Sequence, residues 1–379
     1  MFLLVNKIFR FKLVFISLVI FFVGASMELS RDFSGIFPNL KYIALIIFLI
    51  AQLNFKKALA GDLISLVSLL VFYLFIILFT LFNNLNEKAI FLLLGYGLCI
   101  ASYYYAAKGS NEFQEVIRDF LFFSCFVFVF LTIPQVASLE AYSLNKLQFT
   151  GFYSNPNAFS GIAGFFWIFI FSNIYYKNNR KRKKYILFTV LLLLTVFLFL
   201  SFSRGALLAV YVSMTSLLLS KGRVRLAIVI FFVFAVLGLY ILSGEINFYA
   251  IGNRDIFEAT GRLNIFNIYV KEISNNNIIF GTGISELSGR IKSELSFLDI
   301  LLFSGVGALG FFVFMVRSIY FAFESKAPSG PDDWVGALFV YIAVISIFEG
   351  YAANIVSLPS IFLYILPGIL YANFYKRHH

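Results

Sequence analysis

Charged side chains stand beside long apolar runs in this chain, where charge is expensive. Arg204 lies in "LFLSFSRGALLAV" (198–210), between two stretches long enough to be membrane helix. On insertion scales an arginine at a helix centre costs about 2.5–3.5 kcal/mol, and less near the interface. Two more arginines follow, Arg254 in "GNRDIF" and Arg262 in "ATGRLNIF". The arginine fork holds two oxygens and stays charged, so arginines converging at one membrane face suit the diphosphate of a lipid. Plainer readings exist. Arg204 can snorkel to lipid phosphates, and Arg262 can pair with Glu258 four residues back.

Carboxylates form the second group. Glu294 and Asp299 flank the entry to "SELSFLDILLFSGVGALGF" (293–311), and Glu349 lies in "FEGYAAN". Such a group near the interface could accept a sugar hydroxyl proton as general base. It could equally favour a helix N-terminus through the dipole. In "TGFYSNPNAFSG" (150–161), Ser154 or Asn155 can cap a helix and Pro156 suits its first turn. Asn157, one step deeper, is a candidate contact to a sugar or phosphate. "GTGISELSG" (281–289) lacks the lysine-serine pair of a nucleotide loop, although its amides could bind an anion. The two histidines are His378 and His379, at the cytoplasmic end, and both cysteines fall in apolar runs. The sequence shows no metal cluster, disulfide framework or hydrolase serine motif. Neither a metal nor a cofactor is expected.

The elements that must position these groups are membrane helices. Of 379 residues, 61% are hydrophobic and 13% charged. That is more apolar surface than a soluble domain can hide. Twelve stretches approach the roughly 20 residues that cross hydrocarbon. They lie near 12–26, 37–55, 63–82, 89–106, 118–137, 156–176, 185–203, 205–220, 226–243, 298–322, 335–352 and 355–374. The expected fold class is an all-α polytopic membrane protein, with 51 phenylalanines serving lipid contact and helix packing. The first run reads as a retained helix rather than a cleaved signal.

Charge sets the orientation. With both termini cytoplasmic, 20 of the 30 lysines and arginines fall on or near the inner side. The net charge of +11 therefore reads as anchoring to anionic lipid, as in "KNNRKRKK" (177–184), and not as nucleic-acid binding. Arg204 then emerges outside, with Gly205 expected to make the tight turn. Three regions follow: helices over 1–243, a long polar outer loop over 244–297 with a short amphipathic helix over 258–273, and helices plus a cytoplasmic end over 298–379. "GVGALG" (305–310) is expected to serve close helix packing.

Several stretches, in order, resemble the bacterial O-antigen polymerase and ligase superfamily. They are "GFYSNPNAFSG", "SFSRGALLA", "TGRLNIF" with "IIFGTGIS", and "SELSFLDILLFSGVGALG", covering roughly residues 150–312. The resemblance implies a metal-independent integral membrane glycosyltransferase of the C-type class. It would join undecaprenyl-diphosphate-linked oligosaccharides at the periplasmic face of the inner membrane. Arg204 and Arg262 match the family's two important arginines, which implies a grip on the donor diphosphate. Arg254 is a candidate helper. The ligase branch carries a histidine at the start of the helix after the long loop. Here "SELSFLD" stands instead, with Glu294 nearest, a pattern more like the polymerases of O-antigen, capsule or exopolysaccharide. Glu294 or Asp299 is then the expected base, and a chain-length regulator protein a candidate partner. The alternatives are a ligase passing glycan to lipid A-core, a flippase or transporter of lipid-linked oligosaccharide, and a structural partner in an assembly complex.

Overall fold

A computed structural model describes residues 2–29, 40–52, 62–82, 87–108, 111–142, 148–176, 181–201, 203–220, 222–229, 267, 270–271, 281–284, 296–324, 333–353 and 357–378. The labelled helices are α1 (Phe2–Leu29), α2 (Leu40–Gln52), α3 (Leu63–Phe82), α4 (Glu87–Ala107), α5 (Asn111–Thr132) and α6 (Pro156–Tyr176). They continue with α7 (Lys181–Ser201), α8 (Arg204–Ser220), α9 (Ser296–Ser304), α10 (Ala308–Glu324), α11 (Asp333–Phe348) and α12 (Leu358–His378). Among the described residues there is no strand; an isolated bridge joins Tyr142 and Phe149.

Seven segments among the described residues are long and apolar enough to cross a membrane, and four shorter apolar helices accompany them. The protein is an all-α membrane protein. Of the twelve expected runs, eleven coincide with labelled helices, α9 and α10 together filling the tenth. For the ninth (226–243), helix is described over 224–229 and the remainder lies outside the described residues. So does nearly all of the expected amphipathic helix, where only 267, 270 and 271 are described as helical.

The chain forms two compact units. Unit 1 combines Met1–Ser124, Ile268–Ser325 and Ser346–His379; unit 2 combines Cys125–Asn267 and Lys326–Ile345. In unit 1, α1 packs on α2, α10 on α3, and α12 on α4. The stretch from Ser357 to Leu370 is buried, which accounts for α12 being apolar on every side. Gly368 brings α12 against α4 so closely that a Cβ there would lie 2.5 Å from the Tyr103 carbonyl oxygen. In unit 2, α6 packs against both α7 and α8. Across unit 2, Tyr341 Oη donates to the Gly161 carbonyl at 2.9 Å, and Ser213 Oγ to the Ala337 carbonyl at 2.5 Å.

Candidate functional site

In unit 2 the residues of interest gather where α6 begins and α7 ends. Asn155 is the cap, a role its short polar side chain suits. Its Oδ1 accepts the Asn157 amide at 2.8 Å, while its carbonyl accepts the Phe159 amide at 3.1 Å. Pro156 occupies the first helical position, where its missing donor costs nothing. Ahead of the cap, Tyr153 donates its amide to the Thr150 carbonyl at 3.0 Å, closing a turn with Gly151 at φ +55°. Thr150 is itself held by the Ala141 carbonyl, through its amide at 2.8 Å and its hydroxyl at 3.0 Å.

Aromatic rings support this turn. Phe159 meets Phe149 edge-on at 5.0 Å and stacks on Phe128 at 5.3 Å, and Phe152 lies 4.4 Å from Tyr153 between centroids. The Phe149 amide donates to the Leu200 carbonyl at 3.0 Å, tying the turn to the end of α7. Asn157 and Arg204 therefore belong to the same end of unit 2.

Arg204 is the first residue of α8 and is exposed. Ser203 precedes it, with its carbonyl accepting the Leu207 amide at 3.1 Å. The first-turn amides and the helix dipole add positive potential where the guanidinium stands, a combination suited to phosphate. Gly205 does not make the turn as expected. It is helical and buried, and its φ is not positive, so α8 already runs through it. Gly205 instead supplies a small side against the packed interior. Arg254 and Arg262 lie outside the described residues.

Unit 1 holds two of the candidate carboxylates. Asp299 sits in the first turn of α9 and is 2% exposed. Glu349 follows the last turn of α11 and is 8% exposed. Ser296 brings their two segments together: its Oγ donates to the Glu349 carbonyl at 2.6 Å and accepts the Ala352 amide at 3.1 Å. Asp299 is three residues after Ser296, on the same helical face. Glu294 lies outside the described residues. No group of three or more His, Cys, Asp or Glu among the described residues could hold a metal ion.

The amides of "GTGI" (281–284) are already committed, which removes the anion-binding expectation for residues 282–284. Thr282 and Gly283 donate to the carbonyls of Leu302 and Phe303 at 2.7 and 3.1 Å. The Ile284 amide donates to Thr80 Oγ1 at 3.0 Å. The carbonyls they satisfy are those freed where α9 breaks into the 3-10 turn Gly305–Gly307 before α10 resumes.

One charged pair lies outside the groups that the sequence singles out. Arg317 of α10 forks onto Asp62, Nε donating to Oδ2 at 2.5 Å and Nη2 to Oδ1 at 2.8 Å. Asp62 also caps α3, accepting Ser65 Oγ at 2.5 Å and the Ser65 amide at 3.3 Å. Its signal in the sequence is an arginine well inside an apolar run, which asks for a buried partner. No family model matches the chain, and no curated protein matches it in sequence.

Proposed function

We propose that the protein polymerises undecaprenyl-diphosphate-linked oligosaccharide repeat units at the periplasmic face of the inner membrane, crossing it twelve times with both termini cytoplasmic. The observation that carries this is the exposed guanidinium of Arg204 on the first residue of α8, at the end of unit 2 where the capped start of α6 also lies. Arg204, with Arg262 and Arg254 as helpers, binds the donor diphosphate and stabilises the charge left on it. The acceptor's terminal hydroxyl attacks the anomeric carbon, with Glu294 or Asp299 as base. Asn157 and Glu349 are candidate sugar contacts. The ordered stretches resembling the polymerase and ligase superfamily support the reading, with a ligase passing glycan to lipid A-core as its variant.

A carrier of lipid-linked oligosaccharide is the second reading. It is favoured by the Asp62–Arg317 pair, a buried carboxylate held by a partly exposed arginine beside the apolar helices α3 and α10, since charges set among membrane helices commonly mark transport pathways. One assay separates the readings. Purified protein in nanodiscs receives lipid-linked repeat units alone, and longer glycans on the carrier are expected. Arg204→Lys loses one prong of the contact, which costs about 2 kcal/mol, or about thirtyfold in rate. Unextended carrier with the wild type, or normal extension by Arg204→Lys, overturns the proposal. Carrier translocation in liposomes without extension favours transport.

A further inference from the structure

Residues 349–353 of unit 1 form a turn that is held by side chains from two other elements. Ser296, the first residue of α9 and fully buried, donates its Oγ to the Glu349 carbonyl at 2.6 Å and accepts the Ala352 amide at 3.1 Å. The Tyr351 amide donates to the same Glu349 carbonyl at 2.9 Å. A carbonyl oxygen has two lone pairs, so this one is fully engaged. Tyr96 of α4, also fully buried, donates its Oη to the Ala353 carbonyl at 2.7 Å.

The hydroxyl of Ser296 is used differently from those of the other serines on the same span. Ser304 of α9 and Ser318 of α10 return theirs to their own helix, to the Ile300 and Phe314 carbonyls at 2.6 and 2.7 Å. Bonds of that kind are local and hold no other element. Ser296 has no earlier turn of α9 to bond, and its hydroxyl reaches across 53 positions of chain.

Both hydroxyls stand on fixed supports. The far end of α9 receives the Thr282 and Gly283 amides, and the Ile284 amide ties that segment to Thr80 of α3. The Tyr96 ring meets Phe72 of α3 edge-on at 5.6 Å. A side chain whose supports are themselves packed and hydrogen-bonded keeps its geometry.

The turn carries Glu349. That residue is 8% exposed, whereas Asp299, one helical turn beyond Ser296, is 2% exposed. Of these two carboxylates Glu349 keeps the larger opening to a ligand. Its Cα is bonded to the carbonyl carbon whose oxygen Ser296 and Tyr351 hold, so they set the direction in which its side chain leaves the backbone. An ionised carboxylate accepts hydrogen bonds on both oxygens, which suits the hydroxyls of a sugar.

We propose that Ser296 and Tyr96 are positioning residues that hold Glu349 where it binds hydroxyls of the acceptor sugar. The inference rests on the polymerase reading and deepens it, because it builds acceptor binding into the packing of α4 and α9. Neither hydroxyl touches the substrate, so the loss of either acts through Glu349. It weakens acceptor binding and leaves the chemical step in place.

The test uses the full chain in nanodiscs. A labelled undecaprenyl-linked repeat unit is the fixed donor, and the same repeat unit on a short prenyl chain is titrated as acceptor. Glu349→Gln is expected to raise the acceptor KM about thirtyfold, and Ser296→Ala about tenfold with kcat within about twofold of wild type. In the double variant Ser296→Ala/Glu349→Gln the KM stays at the Glu349→Gln value, since nothing is left to position. A merely loosened fold would add its own loss to that of Glu349→Gln and lower kcat as well. Tyr96→Phe keeps the ring and removes one hydrogen bond. It is expected to raise the KM about threefold, again only while Glu349 is present, and it decides the question if Ser296→Ala fails to fold. A wild type that extends no acceptor overturns the polymerase reading and this inference together. Extension by the wild type, with the positioning variants at the wild-type KM or with losses that add to Glu349→Gln, overturns this inference alone.

Discussion

Asp62 accepts from Ser65 and from two nitrogens of Arg317 at once, so its charge is matched only while all three stay in place. Asp62→Asn keeps an acceptor for the cap but leaves Arg317 without its counter-charge. Arg317 is about a third exposed and keeps some solvation, so losing its counter-charge is expected to destabilise by about 1–2 kcal/mol, read as lowered thermal stability in detergent. Arg317 also lies over the Phe321 ring at 5.4 Å. A lysine there keeps a cation near that ring, so Arg317→Lys should lose less than Asp62→Asn. Single residues are unevenly legible in the sequence. The Asn155–Pro156 helix start reads directly, because capping is local chemistry. The Asp62–Arg317 pair does not, because 255 positions separate its members and only packing joins them. Gly205 shows the limit of arguing from glycine freedom: residue type says which φ values are open, not which one the chain takes.

Among the elements, the break between α9 and α10 is held by a piece of chain from outside both helices. Gly283 lies at φ +62°, and a Cβ there would come within 2.5 Å of the Phe79 carbonyl carbon. Gly222 has a similar φ of +68° but open space around it. Gly222→Ala should therefore cost about 1 kcal/mol from backbone strain alone. Gly283→Ala adds a steric clash and should cost about 3 kcal/mol. Thermal unfolding of the two variants side by side checks the difference. The apolar runs themselves are legible, since about 20 apolar residues make a span wherever they occur. The break is not. "GVGALG" is expected to allow close packing, and it does: a Cβ on Gly307 would meet Phe75 at 2.5 Å, and one on Gly310 would meet the Ser68 carbonyl. That the same glycines interrupt the helix follows from Gly305 at φ +51°, which composition does not reveal.

At the scale of the molecule, the charge bias predicts one orientation for the whole chain. Both native cysteines are buried, so introduced ones report cleanly. Ser154→Cys, at an exposed position, should react with an impermeant maleimide on intact cells. Lys57→Cys and His379→Cys should react only after permeabilisation. Labelling of all three from outside would overturn the topology. The assignment of helices to two units is invisible in the sequence, because unit 1 is assembled from three separated segments.

That assembly bears on how the chain is made. α3 and α4 leave the ribosome long before Arg317 and Ala353, the groups that answer Asp62 and Tyr96. Until translation is nearly complete, the nascent bundle carries a carboxylate answered only by Ser65 of the helix it caps and a Tyr96 hydroxyl without its carbonyl. Early helices in this state invite retention by the insertion machinery or by a chaperone. A chain stopped at residue 290 should accordingly be cleared by membrane proteases, while the full-length chain persists in a pulse–chase measurement.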